Sequence, residues 1–218
     1  MTYPAAPWTL KGYAFQTLQL VNIEQARKFI PPELEIVSFL PGKSLGSIYI
    51  SCYESGSLLT YNELIVVPGL VRYQGKIGGW ISHIYVDNQD SVAGGREIWG
   101  LPKEMADFSW NNGNVKVSQN HRQLCSLYYN KGLINFSIWW QQKLNAGSFG
   151  GLGSELLFFE NQFKTQFGLL QGSLEISPQT PFASLKLDKP LCTLQLRNLE
   201  LIAGVPKIVG NKSKSNYN

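Results

Sequence analysis

The chain reads first as a succession of short alternating segments. Trp80–Val86 places Trp80, Ser82, Ile84 and Val86 on one face and Ile81, His83 and Tyr85 on the other, the period of a β-strand. Met105–Trp110 and Val115–Asn120 flank Asn112-Gly113, a pair suited to a tight hairpin turn. Gln123–Tyr129 and Leu133–Trp140 flank Asn130-Lys131-Gly132 and predict a second hairpin, and Ile36–Leu40 and Leu45–Tyr53 around Pro41-Gly42 a third. Tyr61–Pro68 carries the β-branched run Ile65-Val66-Val67, and further strands are predicted at Glu155–Glu160, Gly168–Ile176 and Leu191–Leu201. Only one stretch has a clear helical period. Asn22 is placed to cap it, Ile23, Ala26, Phe29 and Ile30 share a face, and Pro31-Pro32 ends it. Gln89–Gly94 can form a short helical turn. Leu144–Glu155, rich in glycine and serine, reads as a mobile loop, and Trp139 and Trp140 point to opposite faces of their strand. Strands do not alternate with helices, so a doubly wound fold is excluded. The expected architecture is mainly β (α+β): a single domain over 1–209, built as a twisted antiparallel barrel or cone with one or two short helices and able to enclose a ligand-sized cavity.

Composition narrows the function. Only 16% of the 218 residues are charged against 44% hydrophobic, which points to a large interior, a cavity or a homo-oligomer interface. No apolar run approaches the about 18 residues of a membrane span, and Met1–Leu10 lacks a leader pattern, so the cytoplasm is the expected location. The net charge of +4 gathers toward the C-terminus, where residues 210–218 read as a basic, disordered tail. No basic stripe interleaves with aromatics, which argues against a nucleic-acid partner. Cys52, Cys125 and Cys192 form no C-x-x-C, and His83 and His121 are the only histidines, so neither a disulfide framework nor a metal centre is expected.

The segment that carries chemistry is Asp87–Glu104. Gly100 and Pro102 fix a tight backbone immediately before Lys103, and Trp99, Leu101 and Met105 surround that lysine with apolar groups. A lysine held there loses hydration, which favours the neutral amine that attacks carbonyl carbon. Taken alone this is weak, because a lysine beside such a turn is ordinarily a solvated surface residue.

The run Gly95-Arg96-Glu97-Ile98-Trp99-Gly100-Leu101-Pro102-Lys103, with Tyr85-x-Asp87-Asn88 before it, resembles the motif of the acetoacetate decarboxylase superfamily. So do Pro7-Trp8, Ile30–Ile36 and Tyr61-Asn62-Glu63-Leu64-Ile65; the similarity runs to about Trp110. The resemblance implies that Lys103 is a Schiff-base lysine and Glu63 the active-site carboxylate, with no metal or organic cofactor, because the iminium itself accepts electrons. It implies a lyase acting on a β-keto acid or related small carbonyl compound, in an assembly of identical chains. Two departures stand out. Glu104 occupies the place of a second lysine, and the arginine that holds the substrate carboxylate has no clear equivalent; Tyr13 lies nearest that position, with Lys11 two residues earlier. Arg96 is placed either to orient the turn or to grip substrate, and Trp99 and Leu101 to line the site. Pro7-Trp8-x-x-Lys11-Gly12-x-Ala14, Asn62–Val66 and Gly100-Leu101-Pro102 also resemble the plant neoxanthin-deficiency branch of the same superfamily. That likeness keeps a second function open, a non-decarboxylating binder or isomerase of an apolar ligand such as an isoprenoid or carotenoid.

Overall fold

The computed structural model describes residues 3–137 and 140–213. In chain order its strands are β1 (Trp8–Asn22), β2 (Glu35–Ile36), β3 (Lys43–Tyr53), β4 (Tyr61–Val67), β5 (Leu70–Tyr73), β6 (Lys76–Trp80), β7 (His83–Val86), β8 (Lys103–Met105), β9 (Asp107–Asn111), β10 (Asn114–Gln119), β11 (Arg122–Ser137), β12 (Gln142–Gly150), β13 (Glu155–Ile176), β14 (Cys192–Ala203) and β15 (Lys207–Asn211). Helix α1 (Ile23–Arg27) follows β1, and α2 (Gln89–Trp99) lies between β7 and β8. All the strands join one sheet whose long path runs β2-β5-β6-β12-β13-β14-β1-β3-β4-β7-β8. Its two ends do not pair, so the sheet bends round an interior without closing into a barrel. Pairing is antiparallel except at β6·β12 and β7·β8.

The alternation seen in the sequence sorts side chains onto two buried faces. Along β4, Tyr61, Glu63, Ile65 and Val67 face an interior cavity, while Leu64 and Val66 are fully buried on the outer side in a second core. Burial on both faces is why this strand is apolar at nearly every position. The outer core takes in the β9–β10 hairpin, α1 and Phe182 of a short 3₁₀ turn. Asn22 caps α1 by accepting the Glu24 backbone N–H at 2.8 Å.

Several local expectations are corrected. Ile36–Leu40 and Leu45–Tyr53 make no hairpin: β2 pairs with β5 and β3 runs between β1 and β4, leaving only the bridge Leu40↔Lys43. The single strand at Trp80–Val86 is divided, because Ile81 N–H bonds the Phe149 carbonyl and Ser82 N–H the Val66 carbonyl, and the chain changes partners there. No turn forms at Asn130–Gly132; β11 continues through it, held by β13 on both sides with shifts in register. Strands expected at Glu155–Glu160 and Gly168–Ile176 are one 22-residue strand. The helical turn at Gln89–Gly94 extends through Trp99 and ends on Gly100, whose φ of 61° suits a residue without Cβ. Leu144–Glu155 is no loop over most of its length, since β12 spans Gln142–Gly150. Its glycines permit close backbone approach: a Cβ on Gly147 would meet the Ile77 carbonyl oxygen at 2.4 Å, across the parallel β6·β12 contact. Residues 210–213 are placed, with Gly210 and Asn211 in β15. Trp139 and residues 214–218 lie outside the described residues. No helix among the described residues is long and apolar enough to cross a membrane.

Candidate active site

Lys103 and Glu63 meet at the inner end of the cavity. Glu63 lies mid-strand on β4, and β8 runs parallel to β7 with Lys103 in register with Ile84, so β7 brings the two residues together across 40 positions of sequence. Lys103 Nζ donates to Glu63 Oε1 at 2.8 Å and to Ser91 Oγ at 2.9 Å. The lysine is 3% exposed and the glutamate 4%. Burying both charges is costly, and it is tolerated because each is paired and hydrogen-bonded. The Tyr53 hydroxyl donates to Glu63 Oε2 at 3.2 Å, and the Tyr49 hydroxyl lies 3.3 Å from that of Tyr53. The Tyr61 and Trp8 rings stand 5.0 and 5.8 Å from Nζ, within range of a cation–π contact. Desolvation holds the Tyr53 and Tyr61 hydroxyls well above the ordinary phenol value, with nearby Glu63 adding to the rise, so both remain protonated donors.

Helix α2 gives the lysine its place. A Cβ on Gly95 would lie 2.4 Å from Lys103 Cδ, and one on Gly94 2.6 Å from the Trp8 ring. Glycine in a helix costs about 1 kcal/mol relative to alanine; here the two remove bulk from the surface on which the lysine stem and the indole lie. Asn88 caps the helix by accepting the Ser91 N–H at 3.0 Å. Arg96 Nε donates to the Lys103 carbonyl at 2.8 Å and fixes the lysine's backbone.

The other predicted site residues divide. Trp99 and Leu101 line the cavity. Arg96 is exposed and acts on the backbone from outside it. Tyr13 is also outside: on β1 the cavity-facing side chains are Trp8, Leu10, Gln16 and Leu18, whereas Tyr13 stacks edge-on to Trp110 at 5.3 Å in the outer core. Lys11, of the same parity as Tyr13, reaches an exposed pairing with Glu200 at 3.7 Å. Glu104 does not touch Lys103. Adjacent strand residues point to opposite faces, and Glu104 accepts from Gln119 Nε2 at 2.7 Å on the other side. Among the described residues lining the cavity, Lys103 and Glu63 are the only ionised side chains. Ser91, Tyr49, Tyr53 and Tyr61 were not anticipated. Two signals were available: Tyr61 shares the parity of Glu63, and Ser91 stands one helical turn before Gly95.

The cavity encloses about 300 Å³, at the lower end of the range for sites that hold drug-sized ligands. No cluster of metal-ligating side chains occurs among the described residues.

Comparison with known proteins adds to this geometry. The family model for acetoacetate decarboxylase matches residues 2–134. Protein NEOXANTHIN-DEFICIENT 1 of Solanum lycopersicum is 35% identical over 107 residues, covering 49% of this chain and 36% of the relative. Acetoacetate decarboxylase of Burkholderia vietnamiensis is 33% identical over 113 residues, covering 49% of this chain and 43% of the relative. The matches thus span less than half the length of these curated relatives. Among solved structures, acetoacetate decarboxylase from Legionella pneumophila superposes with a TM-score of 0.75 at 18% identity, over 97% of this chain and 90% of the other. The enduracididine biosynthesis enzyme MppR superposes with a TM-score of 0.72 at 15% identity, over 96% of this chain and 89% of the other. At these identities the structural likeness establishes the fold.

Proposed function

The chain belongs to the acetoacetate decarboxylase family, and on that premise we propose that it is a lyase-type enzyme in which Lys103 forms an imine with a carbonyl substrate and uses it to break a carbon–carbon bond. The observation that carries this reading is a lysine 3% exposed whose Nζ lies 2.8 Å from a buried carboxylate at the inner end of an apolar cavity. Glu63 takes one proton from the Lys103 ammonium, the freed amine adds to the carbonyl carbon, and that proton passes to the oxygen; Glu63 then carries a second proton from the added nitrogen to the same oxygen, which leaves as water. Ammonium and carbonyl thereby become iminium and water with charge conserved. The iminium then accepts the electron pair of the bond that breaks, giving an enamine that is protonated and hydrolysed. Tyr53, hydrogen-bonded to Glu63 and joined to Tyr49, holds that carboxylate in place while the proton moves.

Borohydride reduction during incubation with a panel of carbonyl compounds tests the reading. The expected result is an added mass on the peptide containing Lys103, lost in Lys103→Met. Labelling confined to other lysines, or absent across the panel, would sink it. The second reading, a non-catalytic binder of an apolar ligand, is favoured by the lack of other ionised groups among the described residues of the cavity wall; it predicts ligand binding that survives Lys103→Met.

A further inference from the structure

We infer that this site takes a neutral carbonyl compound bearing an apolar chain rather than a small keto acid, with the carbonyl at Lys103 and the chain running toward the half-exposed end of the cavity. The inference rests on the imine reading only for which substrate atom reacts.

The strand register orders the cavity into layers. Ser51 and Glu63 are paired across β3 and β4 beside Ala14 of β1; one step outward come Gln16, Tyr49 and Ile65, and the next step brings Leu18, Ser47 and Val67. Val67 is four residues from Glu63, which on a strand is about 13 Å. Exposure rises along this direction. Lys103 is 3% exposed, whereas Leu18 and Val67 are partly exposed; Leu144 on β12, which also lines the cavity, is 37% exposed. Phe163 and Phe167 of β13 add aromatic rings to the lining. A substrate entering from this end meets aliphatic and aromatic side chains before it reaches the ion pair.

The charge pattern excludes a small anionic substrate more strongly than the shape does. A keto acid would bring its carboxylate into a space where, among the described residues, the one anion, Glu63, repels it and the one cation is the reacting amine. The two cations nearest in sequence to the expected carboxylate-gripping positions, Lys11 and Arg96, are turned outward. A buried carboxylate without a partner is heavily penalised. An uncharged β-hydroxy ketone carries no such penalty: its Cα–Cβ bond breaks as the iminium takes the electron pair, the hydroxyl proton passes to Glu63 and an aldehyde leaves; each methylene the chain buries adds affinity, roughly fourfold per group.

The experiment uses the whole chain and two readouts. Borohydride trapping on Lys103 is measured for acetone, 2-pentanone, 2-heptanone and 2-nonanone, and for acetoacetate and 3-oxooctanoate. Binding of the same compounds is followed separately by tryptophan fluorescence, since Trp8 and Trp99 line the cavity. The expected result is half-saturation that falls steadily with ketone chain length and is at least tenfold lower for 2-heptanone than for 3-oxooctanoate. Trapping that favours the keto acids, or ignores chain length, overturns the inference and leaves the imine reading intact. Chain-dependent fluorescence without trapping removes the imine reading and keeps the ligand class; neither signal overturns both. Val67→Trp should reduce the ratio of 2-nonanone to acetone affinity at least tenfold. An unchanged ratio in a folded variant would show that the chain does not pass this layer.

Discussion

Two stretches of the chain line one cavity by different means. The segment through Met105 supplies both ionised groups, Lys103 and Glu63, together with the tyrosine chain behind Glu63 and the indole of Trp8. The strands after Gln142 supply Leu144, Phe159, Phe163, Phe167, Leu196 and Leu201, with no ionised side chain among their described cavity-lining residues. The family model ends at residue 134, before the second wall begins. The ionised pair lies in the part of the sequence that the family model covers, whereas the apolar lining is drawn from both parts, Leu18, Ile65 and Val67 before Met105 and the strands after Gln142.

The largest expected effect tests the pairing at the reactive wall. Glu63→Leu leaves the buried Lys103 ammonium without its anion and should cost about 3–5 kcal/mol in denaturant unfolding. Adding Lys103→Met should restore most of that loss, since an apolar pair of similar volume removes the unpaired charge. A single mutant as stable as the parent would mean that the two groups are not paired in solution.

A second prediction concerns the outer face of the same wall. His83 adjoins cavity-lining Ile84 but points the other way, between Phe29 and Phe182, with its Nδ1 2.9 Å from Ser82 Oγ. Burial lowers its pKa from the ordinary 6.5 to about 4, opposed by the nearby charge of Glu104. The folded value lies below the unfolded one, so between pH 6.5 and 4 the unfolded chain binds more protons. Stability should thus be unaffected by this group above that window and fall through it by about 3 kcal/mol, at about 1.4 kcal/mol per unit. His83→Leu should flatten this part of the stability profile relative to the parent; an identical slope would assign the titration to other groups.

The smallest effect probes placement. Gly95→Ala sets a methyl where the Lys103 stem now lies. A displacement of about 1 Å costs on the order of 10²-fold in rate, about 2.7 kcal/mol. The variant should lower the rate of trapping at Lys103 by that factor while chain-length dependence, set by lining residues away from the lysine stem, persists. A normal rate would show that the stem has room to move.

Where the sequence was legible, local rules sufficed. Lys103 follows a Gly-x-Pro turn, Glu63 and Tyr61 share a parity, and Asn112-Gly113 joins β9 to β10 as its turn chemistry requires. Where it failed, a distant partner decided. Gly147 and Gly150 look flexible in sequence, yet they lie in a strand because each passes close to another backbone, at Ile77 and Trp99. Asn130–Gly132 looks like a turn, but β13 pairs on both sides and carries the strand through. Tyr13 seemed the nearest substitute for an arginine until the facing of β1 placed it in the outer core.

By itself the sequence determined the strand-rich class and the faces along its strands, because alternation and turn chemistry act over a few residues, and it pointed to Lys103 as the candidate reactive group. Only the tertiary structure decided that Glu63 and Lys103 touch, that Glu104 does not, that among the described residues no second cation lines the cavity, and that a glycine-rich segment is part of its lining. Those outcomes depend on which strands pair across long separations, and that pairing is fixed by the burial of the whole sheet rather than by any short stretch of it.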